Sequence, residues 1–187
     1  MPSPSSALAL QRIALEQFST VGFGGASLGS IAQAAGLSKS SVLYHYASKE
    51  ALLAAAIEPA VDALAEVVDS YPEHGGREEH DRFVERLIDF LLEHRLAVHL
   101  FVNQGQVLGY IPAVERANQL VRRFSEAVAE RIPSIADRIR FGVAISGAAY
   151  ILVAAANWAE PAEDPDPADV RAALVDTVAS LLRRTPP

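Results

Sequence analysis

The chain has 187 residues, 21% of them charged, with a formal net charge of −7 and no cysteine. That length suits one or two small domains and is enough to bury a core. The lack of cysteine excludes disulfides, thiolate metal sites and cysteine nucleophiles, and the acidic surplus argues against a general binder of polyanions.

The chain opens MPSPSSALAL. Residues 1 to 5 read as a flexible Pro/Ser-rich arm, and the stretch lacks the basic start and continuous apolar run of an export signal, so a cytoplasmic protein is expected. A first helix follows, carrying Ile13, Ala14 and Phe18 ahead of Gly22.

The next segment, SLGSIAQAAGLSKSSVLYHYASKE from Ser27 to Glu50, is the most informative of the chain. Ser27 is placed to cap a short helix, because its hydroxyl can accept from an unpaired N–H of the opening turn. Leu28, Ile31, Ala32 and Ala35 share one face of that helix, and Gly36 stands where a left-handed residue ends it. Ser38 caps a second short helix whose buried side holds Val42 and Tyr46. Lys39, Ser40, Ser41, Leu43, Tyr44 and His45 are left on its other sides, within reach of phosphates or base edges. Ser48 then opens a third helix with Lys49 and Glu50 in its first turn.

Two short helices around a tight turn are the anatomy of a DNA reader, though such a pair also occurs in purely structural bundles. The order IA, two residues, AGLSKSSVLYHY, then SKEALL resembles the helix-turn-helix of the tetracycline-repressor (TetR) family of transcriptional regulators, densely over residues 10 to 57. The resemblance implies an all-α fold: a three-helix DNA-binding domain at residues 1–47 with its motif at 27–46, and a helical effector-binding and dimerisation domain at 48–187, about nine helices in all. It also implies a homodimer on a double-stranded DNA operator. Ser27, Ser38, Lys39, Ser40, Ser41, Tyr44, His45 and Lys49 are the residues expected to meet DNA. At Lys49 the alternative is a solvated lysine, slightly unfavourable at a helix N-terminus; the functional reading has it meeting a phosphate there. One departure matters: where the family usually carries a tyrosine this chain has Leu43, and the aromatic ring is displaced to Tyr44.

Charge is unevenly spread. Over residues 1 to 58, Arg12, Lys39 and Lys49 cancel Glu16, Glu50 and Glu58, so the remaining 13 basic and 20 acidic residues supply the whole −7. A neutral reading head implies few phosphate ion pairs, with hydroxyls, backbone N–H groups and dimeric avidity making up the affinity.

Beyond the head the pattern is a series of amphipathic helices. Leu52, Leu53, Ala56, Ile57, Val61, Leu64 and Val68 continue the third helix to about residue 70, and Pro59 in its middle predicts a kink or break. YPEHGGREEHD reads as a loop. A helix from about Asp81 to Arg95 carries Phe83, Val84, Leu87, Ile88, Leu91 and Leu92 as an apolar stripe, with Glu85, Asp89 and Glu93 read as a solvated face. LAVHLFVN, 96 to 103, is apolar nearly all round and is expected to be central. His99 and Asn103 on its side are either core groups satisfied by backbone or orienting groups in an apolar ligand pocket. His74, His80 and His94 lack metal-ligand spacing, so no metal and no cofactor are expected.

GQVLGYIP is a connector, and Pro112 starts a helix to about Ile132. Residues 141 to 159 hold no charge over 19 positions, long enough to raise a membrane span. Eleven of the nineteen are Gly, Ala, Ser or Asn, so a helix buried all round is the better reading, with Gly142, Ser146 and Ala149 admitting a close neighbour. After an acidic Pro-rich loop, Asp166 and Pro167 start a last helix striped by Val170, Ala173, Leu174, Val178, Leu181 and Leu182. By resemblance these last two helices pair across the dimer; by pattern alone they pack equally well within one protomer.

The expected function is a transcriptional regulator, a repressor released from a palindromic operator by a small apolar ligand. Phe83, His99, Phe101, Asn103, Tyr110, Phe124, Tyr150 and Trp158 are the candidate lining of that ligand's pocket. The alternative is a small-molecule-binding helical protein or enzyme whose N-terminal motif is structural, although no nucleophile, base and orienting group come together in the sequence.

Overall fold

The computed structural model describes residues 4–72, 76–158 and 166–182, all of its regular structure α-helical: α1 (Pro4–Gly25), α2 (Leu28–Ala34), α3 (Lys39–His45), α4 (Lys49–Asp69), α5 (Arg77–Glu93), α6 (Arg95–Gln104), α7 (Pro112–Arg131), α8 (Ile135–Trp158) and α9 (Pro167–Leu182). The chain divides into two compact units, residues 1–62 with 99–119, and residues 63–98 with 120–187. The unit that holds the head thus takes in the start of α4, the end of α6 and the start of α7.

In the first unit Leu10, Ala14 and Phe18 recur four apart along α1 and are buried, as are Ile31 and Ala32 of α2, Val42 of α3 and Leu52, Leu53 and Ile57 of α4. The spacing places each set on one helical face, so all four helices turn an apolar side inward. Helix α1 already begins at Pro4, within the arm expected to be flexible, and is interrupted at Gly22, whose φ of 78° and ψ of 157° are non-helical. Only glycine adopts that backbone without strain. Helix α4 runs through Pro59 as one element, where a kink or break is expected from sequence. Pro59 lies on the exposed side of the helix, while Ile57, Ala60 and Val61 face inward; the carbonyl that loses its donor there is on the side where water can replace it. From α7, Arg116 reaches Glu58 at 2.9 Å and Asp62 at 2.7 Å.

In the second unit Phe83, Val84, Leu87, Ile88 and Leu91 of α5 form the expected stripe and pack with Phe141, Ala144 and Ala148 of α8 and Leu174, Val178 and Ala179 of α9. Helix α5 starts at Arg77, ahead of the expected Asp81, with Glu78 and Glu79 in its first turn; carboxylates there favour the positive helix end, so the charges that read as loop belong to the helix. Its outer face is not simply solvated, because Asp89 accepts from Arg171 of α9 at 2.5 and 2.9 Å. These two bonds hold the Asp89 carboxyl below its ordinary range, against a smaller opposing effect of burial.

Helix α8 is not buried all round. Ile135, Ile139, Val143, Tyr150 and Ile151 are between 52% and 68% exposed. Helices α5 and α9 and Phe124 of α7 pack against it, and the apolar residues they leave uncovered form an exposed stripe. A side chain added at Gly142 would meet nothing within 4 Å. Among the described residues no helix is long and apolar enough to cross a membrane.

Candidate nucleic-acid interface

Ser27 has extended backbone (φ −129°, ψ 153°) and caps α2: its hydroxyl accepts from the Ser30 N–H at 3.0 Å, and the Ser30 hydroxyl accepts in return from the Ser27 N–H at 3.1 Å. This reciprocal box satisfies two otherwise orphaned donors. Gln17 of α1 locks it in place, accepting from the Ser30 hydroxyl at 3.0 Å and donating to the Ser30 carbonyl at 3.2 Å. At the other end Gly36 takes a φ of 67°, and the Leu37 N–H reaches back to the Ala32 carbonyl at 2.8 Å. That left-handed stop sets the sharp angle into the next helix.

Helix α3 is capped by Ser38, whose hydroxyl accepts from the Ser41 N–H at 3.1 Å. The same hydroxyl lies 2.8 Å from the hydroxyls of both Ser40 and Ser41. Val42 is fully buried, and half-buried Tyr46 accepts through its hydroxyl from Gln11 of α1 at 2.9 Å. These two inward anchors fix which way the helix faces. Lys39, Ser40, Leu43, Tyr44 and His45 are therefore exposed, Tyr44 at 83% with its ring edge-on to His45 at 5.4 Å.

Lys49 has a task that position alone does not reveal. Its ammonium donates to the Phe23 carbonyl at 2.6 Å and to the Ala26 carbonyl at 3.0 Å, and stands 4.2 Å above the Phe23 ring. The phosphate contact expected of it must compete with these partners. Next to it, hydrogen bonds from its own backbone N–H and from the Ser48 hydroxyl hold the Glu50 carboxyl below its ordinary range.

Gln104, at the end of α6, belongs to neither the LAVHLFVN helix nor the GQVLGYIP connector expected from sequence. Its carbonyl oxygen accepts from the Phe23 N–H at 2.8 Å, and its amide donates to the Phe18 carbonyl at 3.3 Å. It thus spans the break at Gly22 and meets the backbone on both sides. No local pattern marks it, since its partners lie more than 80 residues earlier in the chain.

The candidate pocket residues are divided between the two units. His99, Phe101, Asn103 and Tyr110 fall in the first unit, and Phe83, Phe124 and Tyr150 in the second. His99 and Phe101 are half-buried, while Asn103, expected inside, is exposed and donates to the His99 carbonyl of its own turn at 2.9 Å. Tyr110 is 65% exposed and Tyr150 also faces outward. Phe83 and Phe124 pack on one another and on Tyr71, with ring centroids 5.2 to 5.9 Å apart. The side chain of Trp158 lies outside the described residues. Among the described residues no three His, Asp or Glu side chains are grouped to hold a metal ion.

Residues 12–56 match the model of bacterial regulatory proteins of the tetR family. The whole chain is similar to a TetR transcriptional regulator family member from Streptomyces coelicolor A3, with 26% identity over 92% of this chain and 88% of that one and a TM-score of 0.69. Residues 12–56 thus match a tetR-family DNA-binding segment, and the whole chain is similar to TetR-family regulators in fold. Its fold is shared with the ketosteroid transcriptional regulator of Mycobacterium tuberculosis (15% identity, 96% and 95% of the two chains, TM-score 0.68) and with the fatty acid degradation regulator of Bacillus halodurans (15%, 97% and 96%, TM-score 0.58). No curated protein matches it. These likenesses make α2 and α3 a helix-turn-helix and support a DNA-binding transcriptional regulator, not an enzyme.

Proposed function

We propose that this TetR-family protein is a homodimeric repressor that holds a palindromic operator and leaves it when a small molecule binds. Residues 1–47 form the DNA-binding domain on this reading, and 48–187 the effector and dimerisation domain. The supporting observation is the outward face of α3, where Lys39, Ser40, Tyr44 and His45 stand exposed while Val42 and Tyr46 anchor the opposite side. A helix of this kind lies in the major groove, with capped helix starts such as Ser27 and Ser38 against phosphates. A single head carries too few charges to hold DNA alone, so two must act together. The open stripe of α8 supplies a face for that pairing. The protein acts in the cytoplasm, where its operator is.

The test is a gel shift and footprint on genomic fragments. A palindrome with half-sites about 34–36 Å apart, or a multiple of that, is expected. Failure to retard any fragment would leave the motif structural only.

A further inference from the structure

The second unit holds a partly enclosed cavity of about 240 Å³ whose apolar wall includes Phe83, Ile132, Phe141 and Leu182 and whose polar wall includes Arg131, Asp137 and Arg140. Tyr71 closes it. This tyrosine is only 6% exposed, and its ring meets Phe83, Phe124 and Phe141 edge-on at 5.2, 5.3 and 5.9 Å. Its carbonyl accepts from Arg131 at 3.0 Å, and the same guanidinium lies 4.9 Å above its ring. Every part of the residue is engaged except one: its hydroxyl makes no hydrogen bond with any described residue.

A tyrosine this deep normally finds a partner for its hydroxyl. No fully buried side-chain polar atom among the described residues lacks a partner, so this hydroxyl is open to the cavity, whose guanidiniums outnumber its one carboxylate, Asp137; an acceptor with negative charge would complete the site. Arg140 is 43% exposed and hydrogen-bonds Asp137 at 2.6 Å, leaving further donors of its planar fork for a second acceptor. Burial pushes the Tyr71 phenol above its ordinary range, more than Arg131 pulls it down, so it stays a proton donor at neutral pH.

We propose that this cavity binds a small aromatic monocarboxylate, its ring against Phe83, Phe141 and Ile132 and its carboxylate between the Tyr71 hydroxyl and Arg140. The inference rests on the reading of the protein as a ligand-responsive regulator and names the ligand's class and place. Size sets the class: the volume is below the roughly 300–1,000 Å³ of most small-molecule pockets, too small for a sterol or a long acyl chain. Flat rings suit walls built from aromatic edges. The walls include the first turns of α8 and the last residues of α9. A ligand wedged there acts on the pair of helices proposed to join the protomers, and so on the spacing of the two reading heads.

The test titrates the full-length protein with benzoate and phenylacetate by calorimetry, with benzamide as the uncharged control and octanoate as the unbranched one. An aromatic acid is expected to bind about tenfold or more tighter than benzamide, and Tyr71→Phe and Arg140→Gln each to weaken it several-fold while the unliganded melting temperature stays near wild type. No binding of either aromatic acid, equal binding of benzamide, tighter binding of octanoate, or acid binding that survives both substitutions overturns the proposal. Gel shifts of the unliganded protein decide the regulator reading separately: a failure there removes that reading, while the titration still decides the cavity.

Discussion

Gln104 accepts a hydrogen bond from the backbone N–H of Phe23 at 2.8 Å, across 81 residues of sequence. With its second bond to the Phe18 carbonyl it bridges the non-helical Gly22 and fixes how the last turn of α1 continues into the head. Gln104→Ala leaves a partly buried donor unmet, which costs about 1–3 kcal/mol. Gln104→Glu keeps an acceptor for Phe23 but has no proton for Phe18. Operator affinity is therefore expected to rank wild type, Glu, Ala. A gel-shift series checks the order, and equal affinities would show that the bridge does not position the head.

Lys49→Met is expected to lower the melting temperature, since it removes two hydrogen bonds and a cation–aromatic contact that join the start of α4 to the end of α1. A loss of about 1–3 kcal/mol fits a half-buried charged donor. Denaturant unfolding measures it. An unchanged midpoint together with a shallower salt dependence of operator binding would instead assign the ammonium to a phosphate.

Tyr44→Ala should behave in the opposite way. The ring is 83% exposed and touches only its neighbour His45 among the aromatic contacts, so stability stays within about 0.5 kcal/mol of wild type. Operator binding falls by about 1–3 kcal/mol if the ring meets DNA. A melting curve and a gel shift on one preparation separate the two effects.

The reading head was legible from sequence because its signals are local. Ser27, Gly36 and Ser38 each act on backbone within a few residues, and Val42 marks the inner face by helical period alone. What escaped depends on distant partners. Gln104 and Lys49 find carbonyls at the end of α1, and Arg171 finds Asp89, at separations that no window of periodicity spans. Pro59 does not break α4 for a related reason: whether a proline ends a helix depends on which side faces water, and that is set by the partners of α4. Helix α8 read as buried all round because apolar composition does not say which chain does the burying.

Val143→Asp places a charge in the middle of the exposed apolar stripe of α8. The single chain tolerates it, since the position already faces solvent, while a pairing face does not. Sedimentation is expected to show a dimer for wild type and a monomer for the variant, with operator binding lost in parallel. A folded monomeric wild type would remove the α8 face from the dimer.

Arg171→Ala tests the pair that joins α5 to α9. The Asp89 carboxyl is held below its ordinary range chiefly by the Arg171 hydrogen bonds. Its stabilisation is therefore complete above the unfolded carboxylate pKa and disappears as pH falls through the lowered folded value. The variant should melt slightly below wild type at neutral pH, a modest gap because both side chains are partly solvated, and the two curves should converge on acidification. A gap that persists in acid would show that packing, not the ion pair, is what the arginine contributes.

The electrical neutrality of residues 1 to 58 has a consequence for the cell. Arg12 is neutralised by Glu16 at 2.6 Å and Lys49 is held by carbonyls, which leaves Lys39 as the cation on the outward face of α3. Each phosphate neutralised on duplex DNA steepens the salt dependence by about 0.9 in slope, so the proposed dimer is expected to release few counterions. When osmotic stress concentrates potassium in the cytoplasm, regulators that grip DNA mainly by charge lose their sites. On the proposed reading, this protein is expected to keep its operator through such a change and to answer to a small-molecule signal instead of to ionic strength.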